Sequence, residues 1–267
     1  MDMTEELSLH RAEDLERLAG LRLIDDDFMS ACFDGEPACV ELVLRILLDM
    51  PDLTVLEVRT QVKTKNLLNR DIIMDVVARD GDGRIINVEI QRSDKGAGSR
   101  RARYHSSILD ASLLEKGSGF DELPETYVIF ITEHDVLGRG RAVYPVERCV
   151  LDTGELFHDG AHILYVNGAF RDESPVGRLM HDFFCTSAAD MHYGVLAERM
   201  RYFKESEEGN ETMCRAFEEM KEECRKEERY SIAQKLLAVG KLALEEIAEC
   251  SSLPLDEVRR LEAELAQ

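Results

Sequence analysis

The sequence lacks three features that would assign it to a membrane, to a secretory pathway or to a cysteine motif. No run of apolar residues is long enough to cross a bilayer. The first twenty residues are acidic and helical in character, without the basic start and apolar middle of a signal peptide. The seven cysteines include no C-x-x-C pair, which argues against zinc or redox motifs of that type. We therefore expect a soluble, cytoplasmic protein with no membrane partner and with reduced, mostly packed thiols.

Positive charge is also scarce. The chain has 33 Lys and Arg residues against 54 Asp and Glu residues, which gives a formal net charge of -21. A net charge of this sign repels a polyanion at long range, and phosphate binding requires clustered basic side chains. Such a cluster occurs once, in the segment RSDKGAGSRRAR, whose basic residues are Arg92, Lys95, Arg100, Arg101 and Arg103. The segment is a candidate for phosphate contact, and an ordinary solvated helix start is the alternative.

Hydrophobic periodicity predicts the order of the structural elements. At 267 residues, the chain has room for one sizeable domain and an appendage. Apolar residues recur at helical spacing after Pro37 and again in residues 100–117, and three strand-like segments lie between these two helices. The apolar run at 126–131 predicts a buried strand, and residues 141–152 and 162–170 are further strand candidates. The pattern indicates an α/β or α+β fold with a mixed sheet.

The character of the sequence changes after Cys185. No strand-like run follows, and the remaining residues are charged and compatible with helix. Gly240 and Pro254 are expected to divide residues 231–265 into three short helices. We predict an N-terminal helical arm over 1–24, a core over 25–185 and a helical C-terminal region over 186–267. The C-terminal region is a candidate surface for homo-oligomer formation.

Acidic side chains interrupt the strand pattern in residues 74–91, MDVVARDGDGRIINVEIQ. The DGDG turn signal predicts a hairpin in which Asp80 faces Arg84, and the same register places Asp75 opposite Glu89. Side chains alternate along a strand, so the apolar residues of both strands share one face, which we expect to be the core. The opposite face then carries the polar residues Asp71, Asp75, Asn87, Glu89 and Gln91.

Two carboxylates that face each other across a strand pair repel and favour a cation between them. Mg²⁺ binds hard oxygen ligands, polarises a phosphodiester and lowers the pKa of water. Asp75 and Glu89 are therefore candidate ligands, the backbone carbonyl of Ile90 is a third, and Gln91 is placed to orient the attacking water. From the spacing alone, a solvated polar face of an amphipathic hairpin is the competing interpretation.

The arrangement resembles the PD-(D/E)XK nuclease superfamily, and within it the Rpn group of recombination-promoting nucleases, which are PD-(D/E)XK nuclease family transposases. The matching features are the strand acid Asp75, the sequence Glu89-Ile90-Gln91 as E-x-Q in place of E-x-K, and a basic helix start containing Arg101, Arg103 and Tyr104. The resemblance extends over roughly 27–265. It implies a restriction-endonuclease-like core of helix, three-strand meander, helix and strand, with a C-terminal helical appendage.

The resemblance implies a metal-dependent DNA endonuclease that uses Mg²⁺ or Mn²⁺ and acts in recombination or on mobile DNA. A helix-borne acid adds a metal contact in many members, and Glu41 is the nearest candidate here. Gln91 lacks the charge of lysine, so weak or conditional activity is a competing expectation. A nuclease fold that binds DNA without cleaving it is the second hypothesis, and an acidic protein-interaction subunit is the third. His105 and the remaining histidines show no ligand spacing and are interpreted as structural or surface residues.

Overall fold

The computed structural model describes residues 3–64, 72–92 and 96–265, and describes side chains from Arg11 onward. Asp71 and Lys95, which the sequence placed at the polar face and in the basic segment, lie outside the described residues. The helices are α1 Met3–Gly20, α2 Asp26–Phe33, α3 Pro37–Leu48, α4 Ser99–Leu113, α5 Pro175–Phe184, α6 Gly194–Glu205, α7 Glu207–Val239, α8 Leu244–Ser251 and α9 Leu255–Leu265. The strands are β1 Val55–Thr64, β2 Ile72–Asp80, β3 Ile85–Gln91, β4 Thr126–Thr132, β5 Val143–Val146 and β6 Ala161–Asn167.

The six strands form one mixed sheet in the order β1-β2-β3-β4-β6-β5. The meander β1-β2-β3 is antiparallel, β3 pairs with β4 and β4 with β6 in parallel, and β5 is antiparallel to β6. Helix α4 lies between β3 and β4 in the chain, as the parallel crossover requires. The predicted α/β architecture with a mixed sheet and a helical C-terminal region is confirmed.

The turn between β2 and β3 sets the register of the hairpin. The Asp80 N–H donates to the Arg84 carbonyl at 3.1 Å, and Gly83 has a φ of 86°, a left-handed conformation that suits glycine. Val76 pairs with Val88 and Arg79 with Ile85, as the predicted register requires. The local turn sequence therefore determines which residues of β2 and β3 face each other.

The face of the hairpin that carries the acids is buried around Asp75 and Glu89, so the prediction that the apolar face alone belongs to the core is wrong. Asp75, Asn87 and Glu89 are buried along with the apolar residues of β2 and β3. Parallel pairing places Phe130 of β4 beside Glu89, and Phe130 belongs to a cluster that includes Ala102 and Leu109, which flank His105 along α4. Helix α4 thus covers the face that carries the acids, and the alternative of a solvated polar face does not hold.

The chain divides into two compact units, Met1–Leu15 with Asn210–Gln267, and Glu16–Gly209. The larger unit contains the whole sheet. The smaller unit has a core of its own, built by Ala233, Ile247, Leu253, Val258 and Leu261. As predicted, one helix ends just before Gly240 and another begins just after Pro254. The first of the three predicted short helices is instead the C-terminal end of the 33-residue helix α7.

The cysteines differ in exposure more than the sequence suggested. Cys32, Cys39 and Cys185 are buried, Cys214 is partly buried, and Cys149, Cys224 and Cys250 are exposed, all as free thiols. Four of the seven thiols are therefore buried or partly buried, in agreement with the expectation of mostly packed thiols, and three lie on exposed surface. Within the described residues, no helix combines the length and the apolarity that a membrane crossing requires.

Candidate active site

The carboxylates of Asp75 and Glu89 lie where the ladder between β2 and β3 ends. The last backbone pair of that ladder is Val76 with Val88. One residue further on, the main chains are linked through side chains: the Ile90 N–H donates to Asp75 Oδ2 at 2.8 Å, and the Asp75 N–H donates to Glu89 Oε1 at 3.4 Å. Each acid therefore accepts a backbone N–H from the strand of the other, which orients both carboxylates.

Glu89 is surrounded by polar groups from β3 and α4. The Asn87 Nδ2 donates to Glu89 Oε1 at 3.0 Å, and His105 Nδ1 lies 3.3 Å from the same oxygen. Arg101 Nη2 is 3.4 Å from Glu89 Oε2, and Arg101 Nε donates to His105 Nε2 at 3.3 Å. Residues 101 and 105 lie one helical turn apart, so both side chains reach the sheet from the same face of α4.

Burial and like charge make Asp75 hard to ionise. Burial raises the pKa of Asp75 to about 8, helped by the negative charges of Glu89 and Asp26, while the Ile90 N–H and Arg101 act in the opposite direction. The pKa of Asp26 is also raised, by burial first, then by Asp27 and Glu89. The three acids therefore form one electrostatically coupled group that favours a bound cation.

Asp26 brings a helix-borne carboxylate to this group from the first turn of α2. Its Oδ1 accepts the Gln61 Nε2 at 3.2 Å, and Ser30 Oγ is 3.5 Å from the same oxygen. Gln61 has a φ of 50°, a left-handed conformation that is uncommon for a residue with a side chain and occurs here inside β1. This local distortion directs the amide of Gln61 to Asp26 and Ser30.

Glu41, the acid proposed from the sequence as an additional ligand, is engaged elsewhere. Its Oε2 accepts the Val55 N–H at 2.9 Å, and its Oε1 lies 2.7 Å from Arg45. These contacts fix the start of β1 against α3. The helix-borne acid whose charge acts on Asp75 is Asp26, whereas both oxygens of Glu41 contact Val55 and Arg45.

Gln91 lies beside the acids and is held by Arg101. The Arg101 Nη1 donates to Gln91 Oε1 at 3.0 Å. The Gln91 carboxamide packs directly over Gly96, where an added Cβ would collide with it. Gly96 thus gives the side chain the room to turn towards α4.

The basic residues separate into two groups. Arg101 points into the acidic cluster, and Arg92 pairs with Asp25 at 3.0 Å. Arg100 and Arg103 are exposed, and no described carboxylate pairs with them. The expected phosphate-contacting surface therefore reduces to Arg100 and Arg103, with Arg101 reaching the edge of the site.

The donor set fits a hard divalent cation. Asp75 and Glu89 provide oxygens on adjacent strands, and Asp26 adds a further negative charge. The Asn87 Oδ1 is buried without a hydrogen-bond partner in the part of the chain that the structure describes. Buried carboxylates of like charge are costly unless a cation pairs with them, and Arg101 provides one positive charge for the described acids.

Sequence interpretation misses two residues of this site. It places His105 among the structural or surface residues, whereas the side chain is buried against Glu89. The spacing of four residues between Arg101 and His105 is the available signal. Asp26 has no such signal, because only the packing of α2 brings it close to β2.

Comparison with protein families identifies the region that contains this site. Residues 44–172 match the model described as PD-(D/E)XK nuclease family transposase. This segment of the chain is similar to that family. No curated protein matches the chain, and no solved structure does.

The PD-(D/E)XK segment covers the sheet and α4, and with them Asp75, Glu89, Gln91 and Arg101. It is shorter than the resemblance expected from the sequence, which extended over 27–265. Asp26 lies before the segment. The family match supports a nuclease-type or transposase-type function for this part of the chain.

Proposed function

We propose that this protein is a divalent-metal-dependent DNA endonuclease that hydrolyses phosphodiester bonds and acts in recombination or on mobile DNA. The observation that supports it best is the pair of buried carboxylates, Asp75 and Glu89, which are cross-linked to each other's main chains where the ladder between β2 and β3 ends. The family of residues 44–172 supplies the reaction class. The proposal extends this match to metal use and to DNA as the substrate.

Asp75, Glu89 and the carbonyl of Ile90 are the proposed ligands, with Asp26 adding charge from α2. When bound there, Mg²⁺ or Mn²⁺ polarises a phosphate oxygen and increases the acidity of water. Asn87 and His105 position the Glu89 carboxylate, because both contact its Oε1. Such groups behind a ligand keep it in the orientation that binding requires.

Arg101 supplies the positive charge that Gln91 lacks. In an E-x-K motif the lysine places a cation beside the reacting phosphate, whereas here the guanidinium of Arg101 is 3.0 Å from the amide oxygen of Gln91. The Arg101 side chain is 44% exposed, so it reaches both the acids and the solvent side where DNA would lie. We assign to it the stabilisation of negative charge that develops on the phosphate. Gln91 then orients the attacking water.

Nicking of a supercoiled plasmid tests this proposal. The folded wild-type chain with Mg²⁺ or Mn²⁺ should convert supercoiled DNA to open-circular DNA, and a chelator should stop the reaction. Asp75→Asn is the inactive control. Asp82→Asn, which changes an exposed acid in the neighbouring turn, is the matched control that should still cleave. If the wild-type protein cleaves duplex and single-stranded DNA no faster than Asp75→Asn does, the endonuclease proposal is refuted.

The two competing functions predict different results in companion assays. A DNA-binding module without cleavage would retard DNA in a gel without nicking it. An acidic interaction subunit would bind neither DNA nor the metal. Homo-oligomer formation through residues 186–267 stays a prediction, and light scattering of the full chain measures it directly.

A further inference from the structure

A second cluster of ligand-type side chains lies at the C-terminal end of α5, outside the family match. His181, Asp182 and Cys185 each offer one donor atom, and these atoms lie within 4.8 Å of one another. His181 and Cys185 are four residues apart, so they share a face at the last turn of α5. The cluster belongs to the larger unit and to none of the groups described above.

Two of the distances within the cluster match the edges of a tetrahedral metal site. The His181 Nδ1 is 3.3 Å from Asp182 Oδ1, and the Cys185 Sγ is 3.5 Å from the same nitrogen. Zinc bonds of about 2.0–2.3 Å at tetrahedral angles place nitrogen and oxygen ligands about 3.3 Å apart, and sulfur and nitrogen ligands about 3.5 Å apart. The remaining pair, the Cys185 sulfur and an Asp182 oxygen, lies within 4.8 Å, so these two atoms can approach one shared ion.

The main chain fixes the acid of the cluster. Asp182 is fully buried, and its two oxygens accept the N–H groups of His192 and Tyr193, each at 2.8 Å. These bonds orient the carboxylate before any ligand binds, as hydrogen bonds behind metal ligands commonly do. They also connect the end of α5 to the segment that leads into α6.

The electrostatic surroundings of the cluster favour a cation. Burial raises the pKa of the Cys185 thiol, and the negative charges of Asp182 and Asp190 raise it further, against a smaller opposing effect of Arg171. Among the described side chains, the only ionisable nitrogen within 4.0 Å of Asp182 is that of His181. A buried carboxylate next to a buried thiol is stabilised by a positive ion.

We propose that His181, Asp182 and Cys185 form a Zn²⁺ site at the C-terminal end of α5. Thiolate, imidazole and carboxylate together favour zinc over Mg²⁺, which prefers oxygen ligands alone. The fourth ligand is water or the His192 imidazole, whose ring centroid is 4.7 Å from that of His181. The site is independent of the proposed nuclease site, because it shares no residue with it.

Metal analysis of the full-length chain, purified without a metal-affinity tag, tests this site. We expect about one zinc per wild-type chain, and a Co²⁺-loaded sample with thiolate-to-cobalt charge transfer and the visible bands of tetrahedral cobalt. Cys185→Ser should abolish the charge-transfer band. His181→Asn changes a side chain that is 42% exposed, so it should fold and bind Zn²⁺ more weakly by at least about tenfold.

Cys39→Ser is the matched control. Cys39 is also buried, and its thiol contacts a backbone carbonyl, that of Val195, as the Cys185 thiol contacts that of Asp190. Cys39→Ser and Asp75→Asn should both keep the zinc and the cobalt spectrum. The site is refuted if folded wild-type protein gives no thiolate-to-cobalt band, or if Cys185→Ser keeps the band that wild-type protein shows.

Discussion

Glu89 accepts the backbone N–H of Asp75 at 3.4 Å, while the Asp75 carboxylate accepts the N–H of Ile90 at 2.8 Å. Each proposed ligand is thus held by the strand of the other ligand. Asp75 and Glu89 are one residue beyond the last backbone pair of the β2–β3 ladder, so side-chain oxygens continue the connection where main-chain bonds stop. A change at either residue should therefore affect both the metal site and the end of the hairpin.

Asp75→Asn should reduce cleavage by about a hundredfold or more, because it removes a charge from the metal site and from the stabilisation of the transition state. In chelator near neutral pH the variant should be at least as stable as wild type, because asparagine needs no proton to lie buried beside Glu89. Nicking rates and urea unfolding in the presence of a chelator measure the two effects. A large loss of stability together with unchanged nicking would assign Asp75 a structural role.

The raised pKa of Asp75 makes the metal-free protein less stable as the pH rises. An unfolded aspartate has a pKa of about 3.9, whereas that of folded Asp75 is about 8, so the folded state holds the extra proton between these values. This contribution is complete below about pH 4 and is lost as the pH rises through about 8. Unfolding in chelator at several pH values measures it.

Asp75→Asn is the reference for the pH experiment, because the variant cannot titrate at this position. The difference in unfolding free energy between wild type and variant should change steadily between about pH 4 and pH 8. A difference that stays constant between about pH 5 and 8.5 would contradict the raised pKa. Metal affinity should show the opposite trend and increase with pH, since binding displaces the proton.

Arg100→Ala with Arg103→Ala should weaken DNA binding to all sequences equally, because phosphate contacts position the backbone without reading bases. Each lost contact lowers the slope of log affinity against log salt by about 0.9, so the pair should reduce it by about 2. Binding titrations at several salt concentrations give the slope. Arg178→Ala changes an exposed arginine that pairs with Glu173, and it serves as the control.

The same titrations separate the two interpretations of the basic segment. An unchanged slope in the double variant would return Arg100 and Arg103 to the ordinary solvated surface. Equal losses in Arg178→Ala would show a general charge effect of the whole chain.

Arg101→Ala should reduce cleavage by about a hundredfold, since it removes the cation beside the reacting phosphate. Adding Gln91→Lys to this variant should restore part of the activity, because a lysine there returns the charge to the position of the E-x-K motif. In the wild-type background the same lysine would face the Arg101 guanidinium, so Gln91→Lys alone should give little gain. Nicking rates of the four combinations measure the coupling.

Arg103→Ala is the control variant in which Gln91→Lys is tested for comparison with Arg101→Ala. Arg103 is exposed, and no described carboxylate pairs with it. Gln91→Lys should not rescue it. Faster cleavage by Arg101→Ala than by wild type would show that the guanidinium blocks the acids, and it would contradict a role in charge stabilisation.

The register of the hairpin could be read from the sequence because it depends on neighbouring residues. The DGDG turn fixes which residues of β2 and β3 pair, and strand alternation then places Asp75, Asn87 and Glu89 on one face. The order of helices and strands followed in the same way from local periodicity. The departure from E-x-K at position 91 came from the resemblance to the PD-(D/E)XK superfamily and not from the local pattern.

Only the tertiary structure determined what surrounds those acids. The packing of α4 buries their face and turns Arg101 and His105 towards Glu89, and the packing of α2 brings Asp26 close instead of Glu41. These contacts join residues that are far apart in the chain, and helical periodicity gives the face of a helix but not the partner that it meets. The sequence therefore determined which residues lie together within each element, while burial and charge at the site depend on how distant elements pack.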